Sequence, residues 1–257
     1  MSSVALVLDR VRALERPLLV ALDVDGTISP IVQDPDLAEI PAETLETLSE
    51  LASAPDLLVA LVRGRDFDSL RRMEQLDGIG RAVEHGGVVL APGEAPKERE
   101  LRQEHRQALD RFRAWVGEKA HGAFIEHKPQ AVAVHVRAIA AQDPERAQRL
   151  MDEAGALALH LGLHVRRGKA LREAEAVHYD KGSALQEILD RSGARAACFM
   201  GDDLTDFPAI ELAAERGVGV FVRSDEQHGT PSASALSLES VDEVFAVLFG
   251  LSQSIAR

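Results

Sequence analysis

The stretch LLVALDVDGTISP, Leu18 to Pro30, limits what this chain can fold into more than any other segment. Five apolar residues, Leu18 to Leu22, run without alternation into Asp23 and Asp25, then Gly26 and Thr27. A short, branched, non-alternating run predicts a strand buried on both faces of a parallel sheet. Gly26 stops the run and lets the backbone turn sharply. Two carboxylates therefore stand where a central strand ends, the place where open α/β sheets bind ligands. Unpaired charge at the tip of a buried strand is costly. Turn formation or helix capping is the competing use for these two acids.

The rhythm of the chain extends this reading. A helix is predicted from Ala42 to Ala54, with Leu45, Leu48 and Leu51 on one face, after a loop over Gln33 to Pro41 that contains Pro35. Leu57 to Val62 reads as a second buried strand leading into Arg63, Gly64 and Arg65, and a helix runs on through Leu70 and Met73. Strand and helix alternating over short joins imply parallel strands with right-handed crossovers. Ala82 to Leu90, broken at His85-Gly86-Gly87, predicts two short strands about a turn.

From Lys97 the pattern changes. A charged helix to Glu118, strands at Phe124 to Lys128 and Ala131 to Arg137 parted by Pro129-Gln130, a helix at Pro144 to Leu161, and strands at Leu163 to Val165 and Ala170 to Glu173 suit a small α+β domain with an antiparallel sheet. The α/β rhythm resumes with a helix at Ser183 to Arg191 and strands at Ala197 to Met200 and Val218 to Val222. The organisation expected is an α/β core at 1–97 and 179–257, with an α+β cap at 98–178 inserted between its halves.

Composition narrows the partners. With 42 acidic against 29 basic residues, the formal charge of −13 argues against nucleic acid or an anionic membrane. A small anionic substrate remains compatible, provided a metal ion and a few basic groups reverse the local field. The lone cysteine, Cys198, excludes an internal disulfide and suits a reducing cytoplasm. No apolar run is long enough to span a bilayer, and the charged N-terminus reads as an amphipathic helix rather than a signal peptide.

A second acidic cluster, Gly201-Asp202-Asp203-Leu204-Thr205-Asp206, also follows a predicted strand. In a parallel sheet it falls on the same edge as Asp23 and Asp25. Carboxylates converging there repel one another unless a cation sits among them, and oxygen-only donors point to Mg²⁺. Such an edge also needs a mobile cation to hold a phosphate dianion, and Lys181, at a strand–helix join, is the candidate. Arg63 and Arg65 are equally readable as surface arginines. Glu126 and Lys128 share one face of their strand by period-two alternation, as do His135 and Arg137. An ordinary solvated face and a polyol-binding face both fit that pattern. Trp115 reads as helix core, Cys198 as an inert buried thiol, and His85 as either a turn residue or a site neighbour.

These motifs resemble the haloacid dehalogenase superfamily and, more narrowly, the trehalose-6-phosphate phosphatases. DVDGTISPIVQDP carries the opening motif. Further matches follow in order at His85-Gly86, Glu126-x-Lys128, His135-x-Arg137, Glu173, Lys181-Gly182 and Gly201-Asp202-Asp203-x-Thr205-Asp206. The resemblance implies a Rossmann-like core, with Asp23 as nucleophile and Asp25 as general acid/base. It implies Mg²⁺ on Asp23, Asp202 and the Asp25 carbonyl, with Asp203 beside them, and Lys181 steadying nucleophile and phosphate. Gly26, Thr27, Arg63, Gly64, Arg65, His85 and Asp206 are expected among the substrate-binding residues. Glu126, Lys128, His135, Arg137 and Glu173 would hold a disaccharide. A monomer acting on a small sugar phosphate, beside a trehalose-6-phosphate synthase as pathway neighbour, is the expectation.

Three departures stand out. Arg63 occupies a position where such phosphatases carry a serine whose hydroxyl bonds the phosphate. Phe207 replaces a glutamate, and Glu175-Ala176 replaces Arg-Pro after Glu173. The departures keep two other readings open: a phosphatase for the sugar phosphates of glucosylglycerol, mannosylglycerate or sucrose, and a catalytically weak sugar-phosphate-binding homologue.

Overall fold

The computed structural model describes residues 2–32, 34, 37–94, 101–128, 130–223 and 234–255. Expectations placed on Gln33, Pro35, Lys97 and Pro129 lie outside these residues, as does the side chain of His85. The chain divides into two units, Met1–Glu98 with Tyr179–Arg257, and Arg99–His178.

The first unit is built on β1 (Leu18–Asp23), whose six residues are all buried. Its neighbours are β2 (Leu57–Val62) on one side and β9 (Ala196–Gly201) on the other, both parallel to it. Beyond β2 come β3 (Gly80–Val83), parallel, and β4 (Val88–Leu90), antiparallel. Beyond β9 come β10 (Gly217–Val222) and β11 (Leu236–Leu238), both parallel. The order is β11-β10-β9-β1-β2-β3-β4, a Rossmann-like α/β sheet.

The absence of alternation in β1 has a direct cause, because each face carries its own apolar layer. Leu18, Val20 and Leu22 pack with Val7 and Val11 of α1 (Ser3–Arg12), Leu48 and Leu51 of α2 (Ala42–Ser53), and Val244 and Leu248 of α9 (Val241–Ile255). Leu19 and Ala21 face Leu185 and Ile188 of α7 (Lys181–Ser192), and Ile210 of α8 (Phe207–Arg216). Each fully buried leucine of β1 contributes roughly 1.5–3 kcal/mol of transfer free energy. The strand β11 closes the sheet at one edge while α9 packs on its face with α1 and α2, and neither element is picked out by the sequence patterns above.

The second unit pairs β5 (Phe124–His127), β6 (Ala131–His135), β8 (Leu171–Glu175) and β7 (His164–Gly168) in that order, all antiparallel. Its helices are α4 (Gln103–Lys119), the short α5 (Arg137–Ala140) and α6 (Pro144–His160). Val132, Val134 and Ala174 turn one sheet face onto Leu109, Phe112 and Ala154 of α4 and α6. Trp115 is partly buried against this core and stacks on Phe112. One expectation is corrected here. The strand predicted to reach Arg137 ends at His135, and Arg137 opens α5 with its side chain exposed, so strand alternation does not place it beside His135.

Candidate active site

Parallel pairing decides which residues meet. β1 lies between β2 and β9, with Leu22 opposite Met200 and Asp23 opposite Val62. Asp23, Arg63 and Asp202 therefore leave adjacent strands at the same edge. Gly26 follows with φ +86°, a left-handed turn, and a side chain there would collide with the Asp202 carboxylate. At Gly201 a Cβ would sit 2.5 Å from the Asp206 carboxyl carbon, so the glycine is what lets Asp206 fold back under the strand end.

Asp23, Asp202 and Asp206 are all buried and can each offer an oxygen within 4.8 Å of the others. Lys181, the first residue of α7 and 4% exposed, donates to Asp23 Oδ1 and to Asp206 Oδ1, both at 2.6 Å. Asp180 caps that helix through a reciprocal pair of bonds with Ser183, which fixes where Lys181 starts. The electrostatics follow from crowding. Burial, then the nearby Asp206, push Asp23 well above the usual carboxylate range, against the pull of Lys181. Burial, then Asp206, push Asp202 up to about 6. Burial works against the charge on Lys181, but Asp23 and Asp206 outweigh it and hold the ammonium above its ordinary value. Three buried acids thus crowd around one lysine, an arrangement with more oxygen donors than protein cation. This oxygen-only, hard, buried donor set fits a divalent cation such as Mg²⁺.

The other expected residues fall in different places. Asp203 is exposed and outside this cluster. Its carboxylate takes the Thr205 hydroxyl at 3.0 Å and caps the 3₁₀ turn at Leu204–Asp206, while its own N–H donates to Asp206 Oδ2 at 2.9 Å. Asp206, expected on the acidic edge and as a substrate-binding residue, sits inside the acidic cluster and accepts from Lys181. Asp25 is outside it too, half-buried in the turn that follows β1.

Arg63 departs most from expectation. It is 1% exposed, and its fork closes on Asp25, Nε to Oδ2 at 2.7 Å and Nη2 to Oδ1 at 2.8 Å. Its third arm, Nη1, donates to the Ser69 hydroxyl at 2.8 Å. The guanidinium is thus bound to two protein groups rather than standing where a phosphate-bonding hydroxyl was expected. The planar fork matches a carboxylate's two oxygens, which a serine could not do. Gly64 and Arg65 follow it, half-buried, and the Arg65 carbonyl accepts from the Glu84 N–H at 3.0 Å beside the 3₁₀ turn at Glu84–Gly86 that carries His85. The Thr27 hydroxyl is fully buried with no partner among the described residues. Phe207 opens α8 and meets Phe221 edge-on at 5.6 Å, an apolar use for its position.

In the second unit, the sheet face turned away from the α4–α6 core collects four of the expected residues. Glu126 meets His135 at 3.1 Å, and Lys128 reaches Glu173 at 2.6 Å. Lys128 can reach Glu173 because β6, lying between β5 and β8, carries the small Ala131 and Ala133 on that face beside His135. Sequence reasoning missed Arg166, opposite Glu173 on β7, whose Nε meets Glu175 at 2.7 Å, and Ser69 behind Arg63. Period-two alternation along β7 and β8 was the available signal for the first. The Asp66-x-x-Ser69 cap spacing was the signal for the second.

A parallel sheet whose adjacent strand ends bring Asp23, Asp202 and Lys181 together defines an α/β core of the haloacid dehalogenase type. Within that class, the chain belongs to the trehalose-phosphatase family, whose model matches residues 21–243. It is 31% identical over 248 residues to a trehalose-phosphate phosphatase of Mycobacterium marinum, covering 90% of this chain and 62% of that protein. It is 32% identical over 231 residues to an uncharacterized glycosyl hydrolase of Mycobacterium tuberculosis, covering 86% of this chain and 17% of the other. This chain thus spans under two thirds of the length of either relative. The structure of Aspergillus fumigatus trehalose-6-phosphate phosphatase matches in fold, with TM-score 0.74, 23% identity and 97% of each chain covered.

Proposed function

We propose that this chain hydrolyses trehalose 6-phosphate to trehalose and inorganic phosphate, with Mg²⁺ and through an aspartyl-phosphate on Asp23. The observation that carries this reading is the buried ammonium of Lys181 held 2.6 Å from Asp23 Oδ1 beside Asp202. The family of the chain and the printed activity of its mycobacterial relatives support the substrate.

In the first step an Asp23 oxygen bonds to phosphorus as the ester P–O bond breaks, and Asp25 gives the leaving sugar oxygen its proton. In the second, Asp25 takes a proton from water as that water bonds to phosphorus and the Asp23–phosphorus bond breaks, freeing phosphate. Lys181 orients Asp23 and offsets charge on the phosphoryl group, and the Thr27 hydroxyl is a donor for its oxygens. Asp23, Asp202 and the Asp25 carbonyl would hold Mg²⁺, which supplies further neutralisation of the transferring group. Glu126, Lys128, His135 and Glu173 offer the sugar paired donors and acceptors. Glu175-Ala176 in place of the Arg-Pro of the motif, with Glu175 paired to Arg166, favours a second reading in which another sugar phosphate is the substrate.

Phosphate release is measured over a panel of sugar phosphates, with and without Mg²⁺. Metal-dependent turnover of trehalose 6-phosphate, abolished in Asp23→Asn, is the result expected. Turnover of only another ester transfers the assignment to the second reading. Substantial activity in purified Asp23→Asn overturns the nucleophile, and silence across the panel with measurable ligand binding overturns the enzyme.

A further inference from the structure

We infer that Arg63 is a positioning residue for proton transfer, acting through Asp25, with Ser69 as its anchor. The inference rests on the reading above, in which Asp25 protonates the leaving oxygen and later takes the proton of the attacking water.

The geometry is a chain of fixed groups. Asp66 caps α3 (Phe67–Met73) by accepting from the Ser69 N–H at 2.8 Å, which holds Ser69 in the first turn. The Ser69 hydroxyl, buried, accepts from Arg63 Nη1. The Arg63 backbone N–H donates to the Ala82 carbonyl at 2.7 Å, so the residue is also tied to β3. Held at both ends, the guanidinium presents Nε and Nη2 to the two oxygens of Asp25. Rotating that carboxylate out of the plane of the fork breaks at least one of these bonds. The Asp25 side chain is nevertheless 40% exposed, against 1% for Arg63. The carboxylate therefore offers a face to a ligand while its orientation is set from behind.

A group that must give and take a proton within one turnover gains from fixed orientation, because transfer requires hydrogen-bond distance and alignment. Serine at position 63 has neither the reach nor the fork to impose it. Each nitrogen of the Arg63 guanidinium already donates to a protein oxygen and the side chain is 1% exposed, which separates this role from substrate binding.

The test uses the leaving group. Trehalose 6-phosphate expels an alkoxide that needs a proton, whereas 4-nitrophenyl phosphate expels a phenolate that leaves without one. The full chain is assayed with Mg²⁺ on both esters as the unsubstituted protein, Asp25→Asn, Arg63→Gln, Arg63→Lys and Ser69→Ala. Asp25→Asn should lose roughly 100-fold or more in kcat on the sugar ester and far less on the aryl ester. Arg63→Gln should follow the same pattern, about 10-fold or more on the sugar ester with KM little changed, and Arg63→Lys should recover only part, since an ammonium lacks the fork. Ser69→Ala, which leaves the charge in place, should show a smaller loss of the same kind. Equal losses on both esters in Arg63→Gln and Ser69→Ala, or a rise in KM with kcat intact, overturn the inference while leaving the phosphatase reading standing. If Asp25→Asn itself loses both esters equally, the acid role of Asp25 fails and this inference with it. Should Arg63→Gln not fold, Ser69→Ala alone decides.

Discussion

Lys181 is the residue on which the acidic cluster depends. Its removal takes the ammonium from Asp23 and Asp206, which are buried together with Asp202. Lys181→Met is expected to cost about 3–5 kcal/mol at neutral pH, as for other broken buried pairs, and about 100-fold or more in turnover. Urea unfolding and phosphate release measure the two. Asp202 makes a pH prediction. Its folded value near 6 lies above the ordinary carboxylate value of 3.8, so between these the native state binds more protons than the unfolded one. Stability from this group therefore falls as pH rises from about 4 to 6, and the cost is fully present above. A divalent ion among the carboxylates removes that cost. Added Mg²⁺ should raise the melting temperature more at about pH 7.5 than at about pH 4.5, and equal shifts at both would count against a metal seated on these carboxylates.

At the scale of elements, the site is a set of helix starts aligned with strand ends. Lys181 stands at the first position of α7 because Asp180 accepts from the Ser183 N–H at 2.7 Å and the Ser183 hydroxyl answers the Asp180 N–H at 3.0 Å. Asp180→Ala should lower stability by about 1 kcal/mol and also reduce turnover, since fraying the first turn moves the ammonium from Asp23. A stability loss with unchanged kcat would separate the cap from the site. The α3 cap on Ser69 plays the matching part for Arg63. Phe207 at the start of α8, by contrast, serves packing against Phe221.

At the scale of the whole molecule, each of the two units has an apolar core of its own. The Arg99–His178 unit has its own core of Leu109, Phe112, Val132, Val134 and Ala154, and its chain is continuous. A continuous segment with a four-stranded sheet packed on two long helices meets the requirements of an independent domain. Expressed alone, Arg99–His178 should show native-like circular dichroism and a cooperative thermal transition; a featureless melt would refute its autonomy. The first unit, interrupted in sequence, joins β1 to β9 across the insertion and so depends on its two halves meeting.

Some of this was written in local pattern and some was not. The uninterrupted apolar runs at Leu18–Leu22 and Leu57–Val62 announced strands covered on both faces, and the acids after Leu22 and after Met200 announced a charged sheet edge, because burial and turn chemistry act over a few residues. The edge strand β11 is only three residues long, too short to carry a periodic signal, and its place depends on what the rest of the sheet leaves open. That Asp206 rather than Asp203 joins Asp23 and Asp202 depends on one 3₁₀ turn folding back beneath Gly201, a matter of ångströms that composition does not encode. The same holds for Arg63, whose partner was settled by strand register: alongside β1 it meets a carboxylate 38 residues earlier in the chain. By itself, then, the amino-acid order determined the kinds of groups present and the edge to which they belong. Only the tertiary structure decided which of them touch, since distances between remote residues are set by the packing of the layers and not by any neighbour in the chain.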